Sequence, residues 1–242
     1  ATLSDTEKLA LFQRGKEFAG SRMQIIAGTG SNDTSHAIEL SIAAQKAGSD
    51  ALLIVSPYYN KATADGLVAH YSAISKAVDI PIILYNVPSR TGVDIPVSVY
   101  QALSRLPNII GVKEASPDIS KIAKIRATCP DLQLWSGNDD QVTAVMSLGG
   151  DGVISVLSNV LPAEIKALTD AALDGDFDTA ADLQIQLLPL IETLFREVNP
   201  IPVKTACAMM GLASEEMRMP LCEMEEANRA KLVEAMRHNG LL

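Results

Sequence analysis

The sequence has few of the residues from which disulfides and metal sites are built. Of its 242 residues, three are cysteines and three are histidines. The cysteines, Cys129, Cys207 and Cys222, are too widely spaced for a Cys-x-x-Cys pair, and no two histidines have the spacing of a zinc site. We therefore expect no disulfide framework, no bound metal and thiols that stay reduced, as in the cytoplasm.

Positive charge and long apolar runs are also scarce. The chain has 20 Lys and Arg against 29 Asp and Glu, a formal net charge of −9. Nucleic acids and anionic membrane surfaces attract clustered positive charge, so we exclude both as main partners. No apolar run approaches the roughly 20 residues that cross a bilayer. A small anionic substrate is still compatible, because a local basic site can lie inside an acidic protein.

A complete nucleotide-binding fingerprint is missing as well. The segment from Gly28 to Asp33 contains Gly-x-Gly but lacks the third glycine that lets a helix pack closely on a strand. A Walker-type Gly-Lys-Ser/Thr is also absent. Both absences argue against the doubly wound open sheet, which is the rival architecture for an α/β chain.

What the sequence does contain is a regular alternation of short apolar runs and amphipathic segments. The apolar runs are Met23–Ala27, Ala51–Val55, Ile80–Tyr85, Ile109–Lys113, Leu132–Ser136 and Gly152–Val156. The segments with helical periodicity between them are Thr34–Ala47, Asp65–Ala77, Val97–Leu103, Ser120–Ala127 and Asp140–Leu148. The alternation predicts βαβ units with a parallel sheet, and we expect an α/β fold of the (β/α)8 TIM-barrel type.

Beyond Val156 the strand pattern stops and only helical patterns follow. The predicted helices are Pro162–Leu173, Phe177–Val198, Val203–Met210 and Glu223–Arg237. We therefore expect residues 1–158 to form the barrel, and residues 159–242 to form its last helix and a C-terminal helical region.

Reactive side chains follow the predicted strands, where barrel enzymes place their active sites. Lys113 ends one strand, and burial there would lower the pKa of its amine and free it to attack a carbonyl. Tyr85 ends another strand and could pass protons, and Arg90 in the loop after it suits a carboxylate. Each has an ordinary alternative: a lysine paired with Glu114, a half-buried tyrosine and a surface arginine.

Taken together, the strand ends resemble the dihydrodipicolinate synthase family of the N-acetylneuraminate lyase superfamily. The matching stretches are Ala27–Asn32, Pro57–Lys61, Leu84–Gly92, Ile110–Ser116, Ser136–Asp140, Gly149–Ser155 and Asn199–Lys204. They occur in the family's order and run through the chain to its last residues, so the chain is identified as a member.

The resemblance implies a reaction between pyruvate and L-aspartate-4-semialdehyde in lysine and diaminopimelate biosynthesis. Lys113 would form the imine with pyruvate, Tyr85 would shuttle protons, and Tyr59 of the partner subunit would complete the relay. No metal or organic cofactor would be needed. The resemblance also implies a cytoplasmic homo-oligomer, a tetramer built as a dimer of dimers.

The same resemblance implies the substrate-binding residues. Arg90 would bind the carboxylate of the semialdehyde, and Gly137 and Ile154 would line the pyruvate site through backbone groups. Asn199 also falls in a matching stretch and is expected at the substrate site. Arg90 favours the synthase over an aldolase of 2-keto-3-deoxy sugar acids or an N-acetylneuraminate lyase, which are the alternatives within the superfamily.

An effector site for lysine is implied at a dimer interface in some family members. The corresponding positions in this chain are Ala1, Asp5, Lys8, Asn32, His36 and Tyr58. Asp5 and Lys8 replace histidines, and His36 stands where an acidic partner for the amine of lysine is usual. We expect weak inhibition by lysine or none, since a charge-assisted bond is lost.

The beginning of the chain departs from the family pattern. Ser4 and Glu7 predict a capping box at a helix start, and the family's Gly-Thr-Thr-Gly-Glu motif, expected before Ala1, is absent. We expect a barrel without its first one or two strands, a longer intact protein, and little activity in the 242-residue polypeptide. A non-catalytic barrel remnant is the alternative from another functional class.

Overall fold

The structure is a computed structural model that describes residues 2–242. The described chain divides into two compact units. The first comprises residues 3–137 and 148–150, and the second comprises residue 2, residues 138–147 and residues 151–242. Each unit has its own hydrophobic core.

The first unit is built on a parallel sheet whose strands follow one another in chain order. The strands are β1 (Ile26–Gly28), β2 (Ala51–Val55), β3 (Ile82–Asn86), β4 (Ile109–Glu114) and β5 (Gln133–Ser136). Each strand pairs in parallel with the next. This register places Lys113 of β4 directly between Tyr85 of β3 and Trp135 of β5.

Helices connect these strands, as the sequence pattern predicts. They are α1 (Asp5–Ala19), α2 (Thr34–Lys46), α3 (Ala64–Ala77), α4 (Pro88–Thr91), α5 (Val97–Leu103) and α6 (Ile119–Thr128). Side chains cap several helix starts: Asp33 accepts a backbone N–H of α2 and Thr63 one of α3. The predicted capping box of Ser4 and Glu7 at the start of α1 is confirmed.

Alternate residues of the strands supply the buried core of the first unit. Fully buried strand side chains include Leu52, Ile54, Ile82, Leu84, Val112 and Leu134. Because side chains alternate between the two faces of a strand, Lys113 and Tyr85 point to the opposite face from Val112 and Leu84. The core residues therefore fix which side chains reach the other face.

The second unit is almost entirely helical. Its elements are α7 (Val142–Ser147), β6 (Gly152–Val153), α8 (Pro162–Leu173), α9 (Phe177–Leu194), α10 (Ile201–Met209) and α11 (Glu226–His238). Leu168, Leu190, Leu194 and Leu232 are fully buried in its core. The predicted helical C-terminal region is thus confirmed.

Several predicted strand and helix boundaries are wrong, and side-chain hydrogen bonds explain two of them. The strand predicted over Met23–Ala27 begins only at Ile26, because the carboxylate of Asp50 accepts the backbone N–H of Ile25 at 2.7 Å. The run Gly152–Val156 shortens to two residues, because the carboxylate of Asp139 accepts the backbone N–H of Val156 at 2.9 Å.

A third wrong boundary is the end of α9. The predicted helix Phe177–Val198 stops at Leu194, where the backbone N–H of Phe195 closes the last turn on the carbonyl of Ile191. Shifts of one to three residues occur at other strand and helix ends, and β2, α5 and α8 match their predicted bounds.

Candidate active site

Lys113 and Tyr85 meet on one face of the sheet. They are register partners on β4 and β3, and the amine nitrogen of Lys113 lies 4.3 Å from the centroid of the Tyr85 ring. Both side chains are half-buried. The pairing follows from the parallel register and places an amine beside a phenol, the two groups that the sequence singled out.

Burial strengthens the hold of the phenol on its proton. It raises the pKa of Tyr85 above its ordinary value, and the nearby guanidinium of Arg90 partly opposes that rise. Tyr85 therefore holds its proton at neutral pH and can donate it. A neutral phenol beside an amine can give a proton to a leaving hydroxyl and take it back.

Arg90 is presented by the short helix α4. The carbonyl of Val87 accepts both the backbone N–H of Arg90 at 3.0 Å and the hydroxyl of buried Thr91 at 3.1 Å. Gly92, with a φ of 70°, ends the helix in the left-handed conformation that glycine adopts without strain. The turn holds Arg90 exposed at the end of the sheet where Tyr85 lies.

A cavity of about 430 Å³ lies beside Tyr85 and Arg90. Tyr85, Arg90, Tyr58, His36 and Lys8 are among its lining side chains. Its polar lining includes the basic side chains Lys8 and Arg90, so it suits a small anionic molecule.

Gly137 brings the backbone close to the amine-bearing side chain. A Cβ built on it would lie 2.5 Å from the Cβ of Ala115 and 3.1 Å from Cε of Lys113. The backbone N–H of Gly137 donates to the carbonyl of Glu114 at 2.7 Å. No other residue fits this position without displacing Ala115 or Lys113.

Tyr59 is held away from the surface of its own chain. Tyr59 is 89% exposed, whereas the neighbouring Tyr58 is 41% exposed. Its φ of 72° lies in the left-handed region, which costs a non-glycine residue on the order of 1 kcal/mol or more. Lys61 nearby has a φ of 46°. The loop thus extends an aromatic ring into solvent at some energetic cost.

Two further predicted site residues belong to the second unit. Ile154 follows β6 and is half-buried. Asn199 precedes Pro200 in a cis peptide and lines a cavity of about 390 Å³ together with Lys204 and Cys207. Burial raises the pKa of the Cys207 thiol.

Three of the six predicted effector positions form one cluster. The carboxylate of Asp5 accepts a hydrogen bond from Nζ of Lys8 at 2.9 Å and contacts Nε2 of His36 at 2.7 Å. These two hydrogen bonds hold the pKa of Asp5 below its ordinary value. The other ring nitrogen of His36 lies 3.2 Å from the hydroxyl of Ser31. Asp5 is therefore already engaged by two basic side chains.

The remaining effector positions are less closely connected. The backbone carbonyl of Asn32 accepts a hydrogen bond from the side chain of Asn60 at 2.9 Å. Tyr58 lines the cavity that also contacts Lys8 and His36. Ala1 lies outside the described residues.

A group of buried polar residues behind the site was not predicted from the sequence. The carboxylate of Glu114 accepts hydrogen bonds from the side chain of Asn86 at 2.7 Å, the backbone N–H of Ser116 at 2.8 Å and the hydroxyl of Tyr100 at 3.1 Å. The alternation of side chains between the two faces of a strand could have predicted this group. Glu114 and Asn86 each directly follow a predicted site residue, so both lie on the opposite face of the sheet.

The described residues offer neither a metal site nor a membrane span. Between residues 2 and 242, no three His, Cys, Asp or Glu side chains are grouped so that they could hold a metal ion. Over the same residues, no helix combines the length and the apolar character that a membrane crossing requires.

Comparison with known proteins gives consistent matches. The model of the dihydrodipicolinate synthetase family matches residues 1–239. A 4-hydroxy-tetrahydrodipicolinate synthase of Thermoanaerobacter sp. (strain X514) is 49% identical over 244 residues, which cover 100% of this chain and 82% of that protein. A synthase of the same name from Methanococcus maripaludis is 43% identical and is covered to 83%.

Solved structures agree with these sequence matches. Dihydrodipicolinate synthase from Aquifex aeolicus superposes with a TM-score of 0.98 at 42% identity, covering 99% of this chain and 83% of that one. The enzyme from Thermotoga maritima gives 0.97 at 38% identity, covering 100% and 83%. The predicted fold class, a (β/α) barrel type with C-terminal helices, is confirmed.

Proposed function

This chain belongs to the dihydrodipicolinate synthetase family, and we propose that it condenses pyruvate with L-aspartate-4-semialdehyde to give 4-hydroxy-tetrahydrodipicolinate. Relatives that are 43–49% identical along the whole chain have the corresponding name. The chain is thus a lyase of lysine and diaminopimelate biosynthesis. The observation that supports the chemistry most directly is the contact between the amine of Lys113 and the ring of Tyr85.

The reaction begins when the amine of Lys113 attacks the keto carbon of pyruvate. Tyr85 gives the proton with which the hydroxyl of the carbinolamine leaves as water, and a protonated imine remains. This imine withdraws electrons from the adjacent methyl group, which loses a proton and becomes an enamine. The enamine carbon bonds to the aldehyde carbon of the second substrate. The amino group of that substrate then displaces Lys113 and closes the ring.

In this scheme the electron sink is the imine nitrogen. No electrons pass to or from an external oxidant or reductant in this reaction. The proposal therefore includes neither a metal nor an organic cofactor. Lys113 is released unchanged at the end, which makes the enzyme catalytic.

Substrate binding is assigned to side chains and backbone around the amine. Arg90 can bind the carboxylate of the semialdehyde with two parallel hydrogen bonds from its guanidinium. Gly137 leaves room beside Lys113 for pyruvate, as the 3.1 Å approach of its built Cβ to that side chain indicates. For Ile154 and Asn199, the substrate-binding role implied by the family resemblance remains a prediction from the sequence.

We further propose that the protein acts as a homo-oligomer, a tetramer built as a dimer of dimers, in the cytoplasm. Tyr59 of the partner subunit would complete the proton relay. The exposure of this ring and its strained backbone support the proposal, because strain of this kind is retained where function requires it. The three free cysteines are compatible with a reducing compartment.

Weak or absent inhibition by lysine is part of the same proposal. An effector with an ammonium group needs a carboxylate partner, and Asp5 already binds Lys8 and His36. A lysine molecule would have to displace one of these partners to gain its own ion pair. We therefore assign no lysine-binding role to this cluster.

The choice of aldehyde tests the proposed reaction. At fixed pyruvate, the protein should turn over L-aspartate-4-semialdehyde with a higher kcat/KM than sugar-derived aldehydes such as D-glyceraldehyde. A preference for the sugar-derived aldehyde would instead make it an aldolase of 2-keto-3-deoxy acids. No condensation with any acceptor, in protein that is folded by circular dichroism, would leave a non-catalytic barrel remnant.

A further inference from the structure

Each of the two site residues is followed in its strand by a buried polar residue. Asn86 follows Tyr85 in β3 and Glu114 follows Lys113 in β4, and their side chains point to the opposite face of the sheet. There the amide of Asn86 donates to the carboxylate of Glu114 at 2.7 Å. The two side chains tie β3 to β4 at the level where Lys113 meets Tyr85.

The same amide also reaches the loop that carries Arg90. Nδ2 of Asn86 donates to the carboxylate of Asp94 at 2.8 Å, and Oδ1 of Asn86 accepts the backbone N–H of Ile95 at 3.0 Å. Asn86 precedes this loop, and Asp94 and Ile95 end it. The side chain of Asn86 thus closes the loop on which α4 presents Arg90.

Two helices contribute the remaining members of the group. The hydroxyl of Tyr100 in α5 donates to Glu114 at 3.1 Å, and Nζ of Lys121 in α6 lies 3.6 Å from the same carboxylate. Lys121 also pairs with Asp94. Burial, together with the negative charge of Glu114, raises the pKa of Tyr100, so its hydroxyl keeps the proton that it donates.

Burial makes this group rigid. Asn86 and Tyr100 are fully buried, Glu114 is 2% exposed and Lys121 is 5% exposed. A buried polar group without its partner costs the full desolvation of that group, so these four side chains cannot exchange partners with water, whereas the Asp94 carboxylate at the edge of the group is exposed. The arrangement is therefore held in one geometry rather than in several.

We propose that Glu114 and Asn86 are positioning residues, whose buried hydrogen bonds fix Lys113 against Tyr85 and fix the loop of Arg90 relative to both. This inference rests on the proposed function, because it assigns the group to the placement of the reacting amine. Neither residue touches substrate. They act through the strand ends, on the face of the sheet away from the reaction.

The size of the effect follows from the sensitivity of catalysis to geometry. An error of about 1 Å in the placement of a reacting group can reduce a rate by roughly 100-fold. Glu114→Ala removes the acceptor for three hydrogen-bond donors and an anionic partner of Lys121, and β3 and β4 lose a side-chain connection one residue beyond Tyr85 and Lys113. Glu114→Gln keeps an acceptor for Asn86 and Ser116 and turns an amide toward Tyr100 and Lys121. Lys121 keeps its ion pair with Asp94, so this variant should preserve most of the geometry.

Asn108 offers a matched control at the opposite end of β4. Its side chain accepts a hydrogen bond from the hydroxyl of Ser75 and donates to the backbone carbonyls of Ser75 and Val78. Asn108→Ala therefore also removes three hydrogen bonds next to the same strand. It should lower Tm, as Glu114→Ala does, without moving the end of the strand that bears Lys113.

The experiment measures how fast borohydride traps pyruvate on Lys113, as a first-order rate per folded site, in the parent protein and in the variants. We expect Glu114→Ala to lower this rate on the order of 10- to 100-fold, while Glu114→Gln and Asn108→Ala stay within a few-fold of the parent. Steady-state kinetics should show the loss mainly in kcat, with KM for pyruvate less affected.

The outcomes distinguish the inference from the proposed function. If the parent takes no label, the proposed function fails and the inference falls with it. If the parent is labelled and Glu114→Ala matches it, or Asn108→Ala slows equally, the inference alone is overturned. Should Glu114→Ala not fold, Tyr100→Phe removes one bond to the same carboxylate and keeps the ring, and an unchanged rate in that variant contradicts the inference.

Discussion

The amine of Lys113 lies 4.3 Å from the ring centroid of Tyr85 because the two residues are register partners on adjacent parallel strands. The contact depends on how β3 sits against β4, so it is a property of the sheet rather than of either side chain. A shift of one residue in this register would turn one of the two side chains to the opposite face. The chemistry proposed for this pair therefore depends on the same hydrogen bonds that hold the sheet.

Replacement of Arg90 should separate the two substrates. Arg90→Ala removes a charge-assisted interaction with the semialdehyde worth about 1.5–3 kcal/mol, so KM for that substrate should rise roughly 10- to 100-fold. KM for pyruvate should change little. Steady-state kinetics with each substrate varied in turn measures both values. The exposed Arg105→Ala is the control, and an equal rise in KM for pyruvate would argue against the assignment.

Gly137→Ala should destabilise the protein and impair the site together. The added methyl group would overlap Ala115 at 2.5 Å and press on Lys113. Overpacking of this kind costs about 1–3 kcal/mol of unfolding free energy. Urea denaturation measures the cost, and the rate of imine trapping measures the effect on the amine.

Gly66→Ala is the matched control for that substitution. A Cβ at Gly66, in the first turn of α3, would make only ordinary contacts of 3.4 Å or more. Alanine there should raise the unfolding free energy by about 0.5–1 kcal/mol, because it lowers the entropy of the unfolded chain. Equal destabilisation by both substitutions would mean that the close approach at Gly137 is not the cause.

Alkaline pH should destabilise the protein through its buried tyrosines. Burial raises the pKa of Tyr71, Tyr85 and Tyr100 in the folded state, while in the unfolded chain a tyrosine ionises near pH 10. Stability from these groups is fully present below about pH 10 and is lost as pH rises towards the folded pKa values. Each tyrosine contributes at most about 1.4 kcal/mol per pH unit in that window.

Urea denaturation between pH 9 and pH 11.5 checks this dependence. Tyr71→Phe should reduce the slope of unfolding free energy against pH above pH 10, since it removes one buried phenol. Absorbance at 295 nm in the folded protein at pH 11 should also fall short of that expected from all five tyrosines. A full phenolate signal in folded protein would contradict the burial argument.

L-lysine at micromolar concentration should leave the rate of condensation unchanged. The reason is the cluster in which Asp5 already pairs with Lys8 and His36. Rates at saturating pyruvate, with and without lysine, provide the measurement, and D-lysine serves as the control for ionic effects. Half-maximal inhibition at micromolar L-lysine would show that the cluster opens to admit the effector.

Much of the fold could be predicted because the signals are local. The apolar runs and helical periodicities lie within single segments, and α5 and α8 were predicted with their observed bounds. The placement of Lys113 at the end of β4 followed from the same kind of pattern. The beginning of β1 could not be predicted in this way, because Asp50, 25 residues along the chain, takes the N–H of Ile25.

The buried group behind the site could not be predicted from the sequence for a similar reason. The sequence suggests only Lys113, its neighbour, as a partner for Glu114, whereas its carboxylate accepts hydrogen bonds from Asn86 and Tyr100, which lie 28 and 14 residues away. Strand parity would have placed Glu114 and Asn86 on a common face. Their hydrogen bonds to α5 and to the Arg90 loop depend on tertiary packing that no local pattern contains. The strained backbone of Tyr59 is likewise a property of the folded loop.

Trapping of pyruvate on the protein tests the central claim most directly. The protein is incubated with pyruvate and sodium borohydride, digested, and the modified peptide is identified by mass spectrometry. The account predicts a carboxyethyl group on Lys113, no addition in Lys113→Arg, and full labelling in Lys124→Arg, which alters an exposed lysine of α6. A label on Lys204 instead of Lys113, or no pyruvate-dependent label on any lysine of the folded protein, would contradict it.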